Sequence, residues 1–198
     1  MLAGGGAVRF GGKPKGLEVV GGVRILDRLV DVMTAALGVP PLLVANSPDA
    51  RSWRPDLEVV EDVRPGAGSL GGIYTAVVRA PAPVICLAWD MPFVPSPLLR
   101  ALAAGLERHD AMLPESGGPR GLEPLAAAYG AACEAAIRAS IDAGDLRAVG
   151  FHRRVGLGIL PLADVRRFGD PDLLFFNVNT ANDLERANEL WRLHGSSP

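Results

Sequence analysis

The sequence contains few of the residues on which disulfide-rich and metal-cluster proteins depend. Among its 198 residues there are two cysteines, Cys86 and Cys133, and three histidines. Cys86 lies in an apolar run typical of a buried thiol, so the cysteines indicate neither a disulfide framework nor a metal cluster. The histidines lie in predicted helix ends or loops, where solvated side chains are expected. Catalysis by a cysteine–histidine or serine–histidine pair is therefore not indicated.

The sequence also lacks a strong net charge and a long apolar run. Its formal net charge is -2, which gives no general attraction to nucleic acid or to an anionic membrane. No apolar stretch reaches the roughly 20 residues that a transmembrane helix needs, and no signal peptide is visible. We therefore expect a cytoplasmic protein with no nucleic-acid or membrane partner. Any binding of anions should therefore depend on a local group of positively charged side chains rather than on the net charge.

The sequence does contain enough apolar material for one packed core. It is 48% hydrophobic, with 24 glycines and 17 prolines, a composition too apolar for disorder. We find no internal repeat, and no linker that would separate a second domain. We predict one domain over residues 1–198.

The most informative stretch is residues 2–17, with the sequence LAGGGAVRFGGKPKGL. Its consecutive glycines let the backbone turn sharply and approach a ligand, because no Cβ intervenes. Arg9, Lys13 and Lys15 add positive charge, so the stretch predicts a loop that binds a polyanion. It matches neither the P-loop pattern, which would need Ser or Thr at Pro14, nor a dinucleotide fingerprint starting at Gly4. The alternative is a glycine-rich surface turn.

Apolar patterning after this loop predicts alternating strands and helices. Residues 25–37 have helical spacing, and the short apolar runs at 42–45 and 84–89 are typical of buried parallel strands. This order indicates an α/β, doubly wound, mostly parallel sheet with helices on both faces. The strand before the loop, Met1 to Ala3, is short, so either the strand is clipped or the chain starts upstream of Met1. We expect it to be the weakest part of the sheet.

Ligands of such sheets bind beyond the carboxyl ends of the strands. The cationic loop, Asp62, a second glycine-rich loop predicted at residues 66–72 before a helix at residues 73–79, and Asp90 all follow predicted strand ends. We expect them to meet in one crevice. Asp90 follows the most apolar strand and can hold Mg²⁺, which prefers oxygen ligands and substrate phosphates. The alternatives are a helix cap or turn acid for Asp90 and an ordinary loop acid for Asp62.

Two asparagines near the carboxyl end form a further candidate group. Asn177 and Asn179 alternate in a predicted short strand at residues 175–179, so they should face the same way. One amide could complete a metal or ligand shell. The alternative is cap chemistry at the last helix, where Thr180 and Asp183 have a capping-box spacing.

These segments resemble nucleotidyltransferases. Residues 2–17 are similar to the signature L-A-G-G-x-x-x-R-[MF]-G-x-x-K, and within that superfamily the chain resembles the molybdenum cofactor guanylyltransferases (the MobA-like family). Four further segments match in the same order. The first is Glu61–Asp62. Residues 68–73 (GSLGGI) are similar to G-P-L-A-G-[IM], residues 86–93 (CLAWDMPF) to C-D-x-P-[FY], and residues 176–180 (FNVNT) to the start of N-[VI]-N-T-P-E-[ED]-L.

The resemblance implies a three-layer Rossmann-like fold and transfer of GMP from GTP to molybdopterin, with Mg²⁺ as cofactor. It implies catalytic roles for Arg9, Lys15 and Asp90, with Asp90 and Asn179 as metal ligands. Asn177, Asn179 and Glu123 would lie on the pterin or acceptor side. The nucleotide-binding residues would be Leu2, Ala3, Gly4, Gly5, Lys15, Asp62, Gly71, Gly72 and Asp90.

The resemblance leaves other functions open. A molybdopterin cytidylyltransferase or a sugar-phosphate nucleotidyltransferase would have the same fold, and a non-catalytic relative could bind pterin or nucleotide. The family also implies partner proteins that deliver molybdopterin or accept the product.

Overall fold

A mixed β-sheet with helices on both faces is the frame of the computed structural model, which describes residues 1–4, 14–118 and 121–194. The strands are β1 (Val19–Val20), β2 (Val23–Arg24), β3 (Leu43–Val44), β4 (Val59–Val60), β5 (Val84–Leu87), β6 (Ala111–Pro114), β7 (Ala126–Tyr129) and β8 (Leu157–Leu160). The helices are α1 (Ile25–Leu37), α2 (Ala50–Trp53), α3 (Gly68–Arg79), α4 (Ser96–Gly105), α5 (Cys133–Asp142), α6 (Leu162–Val165), α7 (Pro171–Leu174) and α8 (Ala181–His194). Short 3₁₀ turns occur at Lys15–Leu17 and His152–Arg154.

Leu2 joins the two parts of the main sheet. It forms parallel bridges to Val44 of β3 on one side and to Ala88, just after β5, on the other. Strand β3 pairs in parallel with β4, and the other part has the order β5-β7-β6-β8. Strand β7 is antiparallel to both of its neighbours, whereas β6 and β8 are parallel. The predicted mostly parallel sheet is confirmed, with β7 running against the other described strands of the main sheet.

Alternating side chains of the strands build a core on each face of the sheet. In β5, Ile85 and Leu87 belong to the cluster that contains the buried residues of α1 and α4, whereas Cys86 belongs to the cluster that contains those of α3 and α5. This two-residue period is the signature of a strand covered on both faces. The predicted helical layers on both faces are therefore confirmed.

Helix α1 forms where the apolar spacing predicts it. Ile25, Leu29 and Met33 lie on its buried face. Gly38 ends the helix in a left-handed conformation (φ 75°), and its N–H donates to Thr34 O. Glycine adopts this conformation without a Cβ clash, which is why it stops helices so often.

Two local predictions are wrong. Helix α3 begins at Gly68, so the second half of the glycine-rich stretch at residues 66–72 is helical rather than loop. These glycines permit close packing, since a Cβ on Gly71 would lie 3.0 Å from Arg64 O. Residues 175–179 form no strand. Their alternation of apolar residues and asparagine imitates a strand, but the segment is held by isolated contacts described below.

Among the described helices, none is both long enough and apolar enough to cross a membrane.

Candidate functional site

The carboxyl edge of the sheet opens into a cleft of about 840 Å³. Parallel strands bring the ends of β3, β4 and β5 to this edge, as expected for a doubly wound sheet. Strand β7 runs the other way, so the residues that precede it reach the same edge. The predicted site residues that line the cleft are Leu2, Gly4, Lys15, Asp62, Gly72, Asp90, Glu123, Asn177 and Asn179.

Lys15 joins the two predicted metal ligands at the centre of the cleft. Its Nζ donates to Asn179 Oδ1 at 2.6 Å and lies 3.3 Å from Asp90 Oδ2. The 3₁₀ turn places the lysine, the end of β5 places the aspartate, and the segment before α8 places the asparagine. Residues separated by more than 160 positions thus meet at one ammonium group.

Asp90 is a buried carboxylate with one oxygen that lacks a hydrogen-bond partner among the described residues. It is 9% exposed, and that oxygen is Oδ1. Burial raises the pKa of Asp90 above its usual range, and the nearby Lys15 opposes that rise. A buried, unpaired oxygen is unfavourable by itself, so this atom is well placed to accept a proton or a cation.

The oxygen donors around Asp90 suit Mg²⁺. The unpaired Oδ1 of Asp90 and the amide oxygen of Asn179 are hard ligands of the kind that Mg²⁺ prefers. Within the described ranges, no group of three or more histidine, cysteine, aspartate or glutamate residues could form a protein cage. Mg²⁺ typically needs only one or two protein oxygens when substrate phosphates and water supply the rest.

A second polar group lies at the ends of β3 and β4. Asn46 and Asp62 form a reciprocal pair: Asn46 Nδ2 donates to Asp62 Oδ2 and the Asp62 N–H donates to Asn46 Oδ1, both at 2.8 Å. The buried Thr75 Oγ1 donates to Gly71 O and accepts from the Val63 N–H. The bond from Asn46 Nδ2, together with Thr75 Oγ1 at 3.4 Å from Asp62 Oδ1, holds the Asp62 carboxylate at the rim of the cleft. The sequence interpretation missed Asn46, although its place directly after a predicted strand was a usable signal.

Trp89 and Gly16 shape the wall next to the lysine. The Trp89 ring stacks on Trp53 with centroids 5.0 Å apart. A Cβ on Gly16 would lie 2.2 Å from a carbon of the Trp89 ring. Glycine is therefore required here by the close approach of the ring. Sequence reasoning missed this contact, because nothing in the local pattern shows that the two segments meet.

The structure keeps other predicted site residues out of the cleft. Ala3 is buried in the sheet, where its N–H donates to Val44 O at 2.9 Å. Gly71 lies within α3, and neither residue belongs to the described cleft lining. Gly5 and Arg9 lie outside the described residues. The roles of all four stay predictions.

The cap of α8 lies beside Asn179. Thr180 Oγ1 accepts from the Asp183 N–H at 3.2 Å, and Asp183 Oδ2 accepts from the Thr180 N–H at 2.8 Å. The capping box predicted from the spacing of these residues is confirmed. Asn177 and Glu123 lie on the neighbouring wall, where Asn177 Nδ2 donates to Phe175 O.

The cleft at this edge of the α/β sheet, with a buried lysine beside oxygen donors, is suited to binding a nucleoside triphosphate, as a nucleotidyltransferase requires. The family model for the MobA-like NTP transferase domain matches residues 1–155, and the chain belongs to this family.

Curated relatives match nearly the whole chain. A probable molybdenum cofactor guanylyltransferase of Pelotomaculum thermopropionicum is 31% identical over 188 residues, which cover 94% of this chain and 89% of that protein. A molybdenum cofactor guanylyltransferase of Desulfosudis oleivorans is 31% identical over 192 residues, covering 94% and 92%.

A crystal structure has the same architecture. The molybdopterin-guanine dinucleotide biosynthesis protein A of Archaeoglobus fulgidus aligns with a TM-score of 0.80 at 26% identity, covering 97% of each chain.

Proposed function

We propose that this chain transfers GMP from GTP to molybdopterin, giving the guanine dinucleotide form of the cofactor and pyrophosphate. The observation that carries the proposal is the contact of Lys15 Nζ with both Asp90 and Asn179 inside the cleft. Nucleotidyl transfer chiefly requires that charge on the phosphate oxygens be neutralised, and this group supplies a cation beside oxygen ligands. The curated relatives named as guanylyltransferases support guanine as the base and molybdopterin as the acceptor.

Each side chain has a role in the proposal. Lys15 neutralises phosphate charge, together with Arg9. Asp90 and Asn179 hold Mg²⁺, which when bound draws charge from the phosphate oxygens. Asn177 and Glu123 lie toward the acceptor.

The other walls of the cleft hold the nucleotide. Leu2, Gly4 and Gly72 line the cleft and provide a surface that a base or ribose can approach, because the two glycines carry no Cβ. The Asp62 carboxylate, fixed by Asn46, offers hydrogen-bond acceptors at the rim. Proteins that deliver molybdopterin or accept the product, and a cytoplasmic location, stay predictions.

The direct test is incubation of the purified protein with GTP, Mg²⁺ and molybdopterin. We expect the guanine dinucleotide and an equal amount of pyrophosphate. Parallel reactions and thermal-shift assays with CTP and UTP test which nucleotide base the protein accepts. If CTP supports transfer and stabilises the protein while GTP does neither, a cytidylyltransferase replaces the present proposal. Binding of GTP and molybdopterin without any transfer would indicate a non-catalytic relative.

The metal role is tested by Asp90→Asn. This variant keeps the shape of the side chain but loses the charge, so we expect loss of turnover with GTP binding largely retained. Asp142→Asn is a matched control, because Asp142 forms an exposed ion pair with Arg64 away from the cleft. Unchanged transfer by Asp90→Asn would refute the metal role.

A further inference from the structure

The segment that carries the two cleft asparagines has no regular secondary structure, yet its backbone is held at defined points. The Val178 N–H donates to Asp90 O at 2.9 Å. On the other side, Asp183 Oδ2 accepts from the Asn179 N–H at 2.9 Å and from the Thr180 N–H at 2.8 Å. One carboxylate oxygen thus holds two successive amides.

Capping of α8 explains only part of this arrangement. In a capping box, the side chain at the third helical position accepts from the N–H of the cap residue, which is Thr180 here. The bond from the Asn179 N–H lies outside the helix and is not needed for capping. It fixes the backbone of the residue whose side-chain oxygen is 2.6 Å from Lys15 Nζ.

Helix α8 is itself fixed to the chain that follows Lys15. Asn188 Oδ1 accepts from the Gly21 N–H at 3.0 Å, and a Cβ on Gly21 would lie 2.1 Å from the Trp191 ring. The Arg28 guanidinium stacks 3.6 Å from the centroid of that ring. Helix α8, which carries Asp183, is therefore fixed both to the chain that follows Lys15 and to the segment that carries Asn179.

We propose that Asp183 is a positioning residue for nucleotidyl transfer. It holds Asn179 in contact with Lys15, whose ammonium group also contacts Asp90. This inference rests on the proposed function. Asp183 is not among the described residues that line the cleft, so it acts through Asn179 rather than on the substrate.

The test compares Asp183→Ala with Thr180→Ala. Both variants remove half of the capping box, but only the first removes the bond to the Asn179 N–H. We expect similar losses in melting temperature and a fall in kcat of about tenfold or more for Asp183→Ala alone, because misplaced groups reduce rates steeply. Asp183→Asn keeps one acceptor oxygen at the same reach and should restore most of the rate.

A double-mutant cycle separates positioning from general stability. In an Asn179→Ala background, Asp183→Ala should cause no further loss of kcat, because the residue through which it acts is gone. Equal losses of rate for Asp183→Ala and Thr180→Ala, or an undiminished effect of Asp183→Ala in the Asn179→Ala background, would overturn the proposal.

A second readout does not depend on activity. Amide hydrogen exchange measured by NMR should be faster at Asn179 in Asp183→Ala but unchanged there in Thr180→Ala. If the wild-type protein transfers no GMP, the proposed function fails while this comparison still tests the positioning of Asn179. Equal exchange at Asn179 in wild type and Asp183→Ala would refute the inference on its own.

Discussion

Replacing Lys15 by methionine should destabilise the metal-free protein, and the loss should depend on Asp90. Methionine keeps an unbranched apolar side chain but removes the ammonium group. The carboxylate of Asp90, 9% exposed and with one oxygen already unpaired, would then be left without its counter-charge.

The magnitude follows from the distance and the burial. Two unit charges 3.3 Å apart attract by about 5 kcal/mol at an effective dielectric constant of about 20. Part of this attraction only offsets the desolvation of the two groups. Removal of one partner from a buried pair typically costs about 3–5 kcal/mol, because it leaves an uncompensated charge. For a domain of this size, the melting temperature should fall by about 6–20 °C.

The loss should be larger near neutral pH than at acidic pH. Burial raises the pKa of Asp90 in the folded protein, and removal of Lys15 raises it further. A carboxyl whose pKa is higher in the folded than in the unfolded chain favours folding when protonated, and this contribution disappears as the pH rises through the folded pKa. The difference in free energy of unfolding between wild type and Lys15→Met should therefore shrink as the pH falls toward the ordinary aspartate range, by up to about 1.4 kcal/mol per pH unit.

Urea unfolding in the presence of EDTA, at several pH values, measures this effect. The control is the double variant Lys15→Met/Asp90→Asn, in which no carboxylate is stranded and most of the stability should return. Arg167→Met is a surface control, because its ion pair with Asp164 is exposed and worth about 0–1 kcal/mol. A loss below about 1 kcal/mol, or an equal loss with and without the Asp90 carboxylate, would refute the reasoning.

Three further changes test other parts of the structure. Gly16→Ala places a methyl group against the Trp89 ring and should cost about 1–3 kcal/mol in urea unfolding, while an unchanged midpoint would show that the ring can move. Thr75→Val leaves the partly buried Val63 N–H without its acceptor and should cost about 1–3 kcal/mol by the same assay, with weaker GTP binding in calorimetry. His152, which the sequence predicts to be solvated, is buried, and burial lowers its pKa. The wild-type protein should therefore lose stability as the pH falls below the ordinary histidine pKa, because the unfolded chain then binds a proton that the folded protein does not. His152→Gln should lose less stability than wild type between about pH 7 and pH 5, and parallel pH profiles would contradict this.

The order of the elements and the edge of the sheet that forms the cleft could be predicted from the sequence. Apolar runs such as the one that ends at Asp90 are buried on both faces, and the strand-end rule then brings Lys15, Asp62 and Asp90 together. Contacts between distant segments could not be predicted in the same way. The pairing of Asn46 with Asp62 and the closeness of Gly16 to Trp89 depend on how the elements pack, which local patterns do not encode.

The error at residues 175–179 has a comparable cause. Alternation of Phe176, Val178 and the two asparagines satisfies the pattern of a strand, but a strand also needs a neighbour that forms a ladder of hydrogen bonds with it. Here a single backbone bond to Asp90 and the carboxylate of Asp183 hold the chain. Side chains that bond the backbone locally compete with regular structure, and a pattern of hydrophobicity cannot show which of the two prevails.

The place of Leu2 between Val44 and Ala88 has a consequence for synthesis on the ribosome. Its two neighbours in the sheet are made 42 and 86 residues later, so Leu2 leaves the exit tunnel well before either can pair with it. At a synthesis rate of about 5–20 residues per second, Leu2 waits for several seconds before Ala88 has been made. The nucleotide cleft, which needs Leu2 in place as well as the asparagines near the other end, can therefore be completed only after almost the entire polypeptide has been translated.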